Sequence, residues 1–236
     1  MAKSTNTPDP AILADPERQL ALSYAARQRE PLALLWGIDE RMGAIVAAAS
    51  EPAIGAMRLL WWRDALVRLD DPAAPTPAEP LLAAAAATLL PARLSGESIA
   101  EIERGWAALL EAAPPGEDEI VAHGAERGDR LFTLSARLLG PVSGPLPPDV
   151  GRAGEGWALA DLGHRLSDAE GRRFARARAA DLLRGVDLAR WPRTLAPLGL
   201  LVLFARYDAA LPAERQRRQG SPKRLFRALA YRLTGR

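Results

Sequence analysis

Two histidines, His123 and His164, and several acidic clusters are the side chains best suited to chemistry in this sequence. The histidines lie far apart, and neither sits in the H-E-x-x-H spacing that puts two imidazoles on one zinc ion. Each is expected to be a hydrogen-bonded or exposed residue rather than a ligand. Glu97, Glu101 and Glu103 form one acidic group, and Glu117, Asp118 and Glu119 another. Both fall near expected helix starts, where acids favour the helix dipole, so capping and solvation explain them. Asp161 and Asp168 are two turns apart on one helix face, with Cα atoms about 10.5 Å apart, a long reach for one metal ion. There is no cysteine, which removes disulfides, thiolate metal sites and thiol nucleophiles. No Walker loop, G-x-G-x-x-G or G-x-S-x-G motif is present.

The elements that must position these groups are helices. Asp15-Pro16 reads as an N-cap and first helical residue and opens a helix expected to run to Arg29. Pro31 and Pro52 open the next two. Leu32, Leu35, Trp36, Met42, Ile45 and Val46 form one stripe, and Ile54, Met57, Trp61, Ala65 and Leu66 the other. Trp61 and Trp62 face two directions, and both are expected to be buried between helices. Proline-rich loops are expected over 70–80 and 141–148. Between them lie an alanine-rich helix over 81–90, one capped by Ser95 or Ser98, and a helical run over 117–139. Further helices are expected over 149–168, 171–185 and 192–210. Ser221-Pro222 opens a basic terminal helix, with Phe226, Leu229, Ala230 and Leu233 as its apolar side. No alternating run of β-branched residues and no fixed repeat appears. The expectation is an all-α, single-domain helical bundle over 15–236 after a flexible 1–14.

Composition narrows the class. A chain of 236 residues with 48% hydrophobic residues can bury a large core. The sequence pI of about 9.4 reflects arginine, because 31 basic residues face 29 acidic ones. That balance gives no reason to expect nucleic acid. The start of the chain has no apolar signal-peptide core, and the most apolar run, Leu198 to Ala205, is too short to span a bilayer. A cytoplasmic protein is expected, its basic C-terminal helix solvated and packed on the core, with peripheral attachment at the inner membrane through that helix as the alternative.

From Arg29 the chain reads R-E-P-L-A-L-L-W-G-I-D-E-R-M-G-A-I-V, and from Glu51 it reads E-P-A-I-G-A-M-R-L-L-W-W-R-D-A-L. The block from Arg58 to Leu66 resembles the R-x-x-W-W-R-D-A-L ending found in divergent members of the squalene/phytoene synthase family. His123 to Gly128, followed by Leu131 to Gly140, is similar to a later family helix. Ala153, Gly154, Gly156, Ala158 and Leu159 are similar to the family's A-G-x-A-x-Q-L. Thr234-Gly235-Arg236 is family-like as well. Only the W-W-R-D-A-L block is specific; the others are weak alone but stand in the right order.

The resemblance implies the isoprenoid synthase type of bundle. Active members condense two prenyl diphosphates on Mg²⁺ held by two aspartate-rich helical motifs. Here the first motif aligns with Gly43, Ala44 and Ala47, and the second with Arg165 and Ala169. No carboxylate remains at these degenerate positions. Asp39 and Glu40 fall one turn early, Asp161 replaces an asparagine, and Asp168 is one residue out of register. The resemblance thus implies a non-catalytic binding or assembly protein without cofactor or metal, close to the branch containing a respiratory complex I assembly factor. Arg58, Arg63, Asp161, His164 and Arg165 are the candidate ligand-binding residues. Arg165 either points to solvent or receives a phosphate or carboxylate. The expected partners are an isoprenoid or lipid ligand, a protein in membrane-complex assembly, or a membrane surface. Two alternatives stay open: a true prenyl diphosphate transferase, which would need Mg²⁺, and an isoprenoid or lipid carrier.

Overall fold

The computed structural model describes residues 13–75, 77–140, 145–212, 215 and 217–234. Regular structure among them is entirely helical and surrounds one contiguous core. Most of the expected flexible 1–14 segment therefore lies outside the described residues. Leu13, however, is buried, and the N–H of Ala14 donates to Glu40.

Asp15 caps α1 (Pro16–Leu22), its carboxylate accepting from the N–H groups of Glu17 and Arg18. The helix stops well short of Arg29. Ala26 takes φ 47, a left-handed conformation that no α-helix propagates, and a 3₁₀ turn follows at Ala26–Gln28. α2 (Arg29–Ala47) then starts before Pro31, which sits in the first turn where its missing N–H breaks no bond.

α3 (Pro52–Arg68) opens at its proline as expected but turns a different stripe inward. Gly55, Leu59, Trp62 and Leu66 are buried, whereas Ile54, Met57 and Trp61 are exposed. Apolar residues surround this helix, so periodicity does not choose a face. Gly55 chooses it: a Cβ there would lie 2.9 Å from Ala49 and 3.0 Å from Leu110. The close approach fixes the helix on that side and leaves Trp61 half in solvent.

α4 (Pro80–Thr88) follows the first loop. Ser95 caps α5 (Gly96–Ala100), which continues into α6 (Ile102–Ala108). The long run expected over 117–139 is one continuous helical path, but its middle widens. α7 (Glu117–Ala122) passes into a π-helical segment, His123–Asp129, and then α8 (Arg130–Leu139). π-segments are rare inside α-helices and recur at functional sites. Part of the second proline-rich loop, 141–144, lies outside the described residues. α9 (Val150–Leu162), α10 (Ala169–Arg184), α11 (Ala196–Ala209) and α12 (Pro222–Thr234) complete the bundle.

α9 lies directly against the π-segment because both are glycine-lined. A Cβ at Gly154 would sit 2.1 Å from the Gly128 carbonyl oxygen, and one at Gly128 would sit 2.3 Å from the Gly154 carbonyl oxygen. This backbone-to-backbone crossing places Trp157 and Asp161 of α9 opposite Arg127. We expect Gly154→Ala to lower stability by about 1–3 kcal/mol, since backbone cannot yield as a side chain can. Calorimetric melting checks this; an unchanged Tm would mean that the two segments need no such close approach.

Candidate functional site

The site grows from one acid on the apolar face of α2. Asp39 shares that face with Leu32, Leu35 and Met42 and is fully buried. A buried carboxylate must be paired and hydrogen-bonded. Arg127 meets it side-on, Nε to Oδ1 at 2.7 Å and Nη2 to Oδ2 at 2.9 Å. Arg18 donates Nη2 to Oδ2 at 2.5 Å and Nη1 to the Trp36 carbonyl at 3.1 Å. Trp106 adds its indole N–H to Oδ1 at 2.8 Å. Burial alone would raise the Asp39 carboxyl, but Arg127 and then Arg18 overcome it and hold the group well below the usual carboxylate range.

The guanidinium of Arg127 lies between two indoles, 4.2 Å from the Trp106 ring centre and 4.8 Å from that of Trp157. Its Nη1 faces His123 Nε2 at 3.2 Å, and His123 Nδ1 faces the Gly105 carbonyl at 2.7 Å. These partners assign a neutral imidazole with Nδ1–H donating to Gly105 and Nε2 accepting from Arg127. Burial first, and the Arg127 charge second, push His123 down to about 3.

Asp161 stands on the far side of Arg127. Its Oδ2 is 3.8 Å from Arg127 Nη2 and 2.9 Å from Arg165 Nε, and its Oδ1 is 3.0 Å from Arg217. Burial would raise this acid too, but Arg165, Arg217 and Arg127 together depress it. Arg127 thus bridges the carboxylates of α2 and α9 and sits where a cation shared by the two helices would sit.

A cavity of about 430 Å³ opens beside this network. Gly43, Ala44, Ala47 and Arg165 all line it, so four of the five aligned motif positions meet in one space. Trp106, Arg18, Arg127, Arg217 and Gln219 complete much of the wall. Trp106 fills the volume over Gly43, where a Cβ would come within 2.7 Å of its ring. No larger side chain fits there while the indole stays in place.

The other expected site residues are elsewhere. Ala169 is exposed at the start of α10 and does not line the cavity. Arg58 and Arg63 lie on the outer surface of α3, because the stripe around Gly55 turns them to solvent. His164 faces Arg176, with Nδ1 2.9 Å from Nη2, rather than the cavity. Asp168 accepts from the N–H of Gly171 as the N-cap of α10. Glu40 accepts from the N–H groups of Ala14 and Asp15. Arg18, Trp106, Arg127, Arg217 and Gln219 were not singled out from sequence. A sign was present for one pair: an acid inside an apolar stripe demands a buried cation, and Asp39 is such an acid.

No family model, curated protein or solved structure matches the chain. The acids present do not suit Mg²⁺, which wants several oxygen ligands in octahedral geometry. Asp39 and Asp161 already hold guanidiniums, and Glu40 is taken up by backbone N–H groups. Among the described residues, no group of three or more His, Cys, Asp or Glu side chains is placed to hold a metal ion.

Removing the central charge leaves two buried guanidiniums without it. Asp39→Asn is expected to cost about 3–5 kcal/mol of stability, measured by urea unfolding. The pH dependence has a definite sign. An imidazole near 6.5 when unfolded but about 3 when folded takes up its proton preferentially in the unfolded chain. Stability is therefore present above pH 6.5 and declines as pH falls towards 3. His164, held down to about 4, acts in the same window. Depressed Asp39 and Asp161 add a further loss below the ordinary carboxylate range. His123→Gln should flatten the slope between pH 6.5 and 5; an unaltered slope would contradict the neutral buried imidazole.

Proposed function

We propose that this chain is a non-catalytic, squalene/phytoene synthase-like protein whose cavity binds an isoprenoid or other lipid through a small anionic head, a carboxylate or monophosphate. The observation that carries this is the position of the Arg127 guanidinium between Asp39 and Asp161. In a metal-dependent transferase these helices must offer open carboxylates to Mg²⁺, and the ions neutralise a departing diphosphate. Here an internal cation already serves both acids.

Charge sets the ligand class. Arg18, Arg127, Arg165 and Arg217 face Asp15, Asp39, Glu40 and Asp161, so the formal charges cancel among the described residues. Arg165 uses Nε on Asp161, and its outer nitrogens have no partner among the described residues. A carboxylate matches one available guanidinium in charge, and a monophosphate, at about −1.5 to −2, exceeds it by less than a diphosphate does. A diphosphate without metal brings more negative charge than this wall can compensate. A separate groove of about 510 Å³ runs along Val46, Ala49, Leu109, Leu110, Pro114 and Leu166. Val46 and Leu166 neighbour Ala47 and Arg165 in sequence, so a head in the cavity places an apolar chain within reach of the groove.

Titration calorimetry with farnesyl monophosphate and farnesyl diphosphate tests this proposal. The monophosphate should bind equally well in EDTA and in Mg²⁺, and Arg165→Ala should weaken it roughly tenfold or more. Incubation with farnesyl diphosphate, Mg²⁺ and a reductant should give no condensed hydrocarbon beside an active control synthase. Metal-dependent binding or any condensed product would overturn the proposal, and Asp39, Asp161 and Glu40 would be the residues to substitute.

A second role, docking to a protein during membrane-complex assembly, is supported by α3. Trp61, which opens the W-W-R-D-A-L segment, is 52% exposed and Met57, one turn before it, 66% exposed, beside Leu60 and Val67. A photocrosslinker at position 61 would give one discrete adduct with a membrane-complex subunit in cells if this role holds, and none if it does not.

A further inference from the structure

The terminal helix packs the other way round from its sequence pattern. Arg224, Ala228 and Tyr231 face the core, while Leu225, Phe226, Leu229 and Leu233 are 50%, 72%, 54% and 77% exposed. At about 100° per residue, those four side chains share one arc on the side away from the buried stripe. Arg232 borders this arc on one side, and Lys223 and Arg227 border it on the other. The helix contains no acid, and exposed Arg215 and Arg218 precede it. Gly220, at φ 67, makes the turn that starts it.

The helix is held firmly in this orientation. Arg224 donates to Asp208 at 2.5 Å and to Glu17 at 2.6 Å, and the Tyr24 hydroxyl donates to the Ala228 carbonyl at 2.8 Å. Arg227 and Arg232 lie over the rings of Tyr207 and Tyr24. The buried ion pairs prevent rotation that would hide the leucines, so the apolar ridge stays outward.

We propose that α12 docks the protein on an anionic lipid bilayer, with Phe226, Leu229 and Leu233 in the interface and the flanking cations on lipid phosphates and carboxylates. An outward apolar arc between two cationic borders is the arrangement that lies flat at a charged bilayer surface. A second copy of the chain is a poor occupant, because pairing two such helices opposes like charges with no acid to relieve them. A single convex ridge also offers no groove to a partner helix. Among the described residues no helix is long and apolar enough to cross a membrane, so attachment through α12 is peripheral. The surface is independent of what the cavity binds.

Co-sedimentation of the full chain with phosphatidylcholine vesicles, with and without phosphatidylserine, tests this. At low salt, phosphatidylserine should increase bound protein by about tenfold or more, and high salt should reverse it. Phe226→Ser with Leu233→Ser should abolish binding without lowering Tm, since both side chains face outward. Lys223→Glu with Arg218→Glu should weaken it on anionic vesicles alone. Folded protein that ignores phosphatidylserine vesicles at low salt would overturn the proposal. So would undiminished binding by the Phe226→Ser, Leu233→Ser variant, or a concentration-dependent dimer that this variant dissolves.

Discussion

The buried carboxylate of Asp39 is the constraint on which the rest of the structure depends. One negative charge inside an apolar helix face is tolerable only with cations and N–H donors packed around it. Arg18 from α1, Arg127 from the π-segment and Trp106 from α6 all converge on it. Four elements are therefore tied by a single acid, and their crossings follow from its demands. The close contact of Gly128 with Gly154 lets α9 come near enough to place Trp157 against the Arg127 guanidinium and to add Asp161 to the network.

That network has a chemical consequence. Guanidinium is a cation that cannot leave, cannot act as a Lewis acid and cannot share open coordination positions with a substrate. Placing it between the acids of α2 and α9 stabilises the bundle and at the same time takes those acids out of metal chemistry. Trp106 adds a steric version of the same result, since its ring lies over Gly43. The cavity presents arginine donors, small residues and an indole to whatever enters.

The helical class and most boundaries were legible in the sequence because proline, glycine and capping residues mark them locally. Asp15-Pro16, Pro52, Ser95 and Ser221-Pro222 each open a helix as expected. The facing of α3 and α12 was not legible. Both helices carry apolar residues on more than one side, and the buried stripe is chosen by distant contacts: Gly55 against Leu110, and Arg224 against Glu17 and Asp208. Gly43, Ala44, Ala47 and Arg165 stood out in the sequence only through a resemblance to a family pattern, and the cavity they share came from the fold. The cavity's other arginines had no such sign, because Arg18 and Arg217 come from segments about 200 residues apart and only the fold brings them together.

The measurement that tests the central claim most directly is anomalous diffraction from crystals soaked with Mn²⁺ and pyrophosphate. Mn²⁺ stands in for Mg²⁺ and scatters strongly enough to locate. No Mn²⁺ peak should appear between Asp39 and Asp161, and Arg127 should still bridge them. A Mn²⁺ peak there, with Arg127 displaced and pyrophosphate bound to the metal, would contradict the claim and favour a metal-dependent transferase.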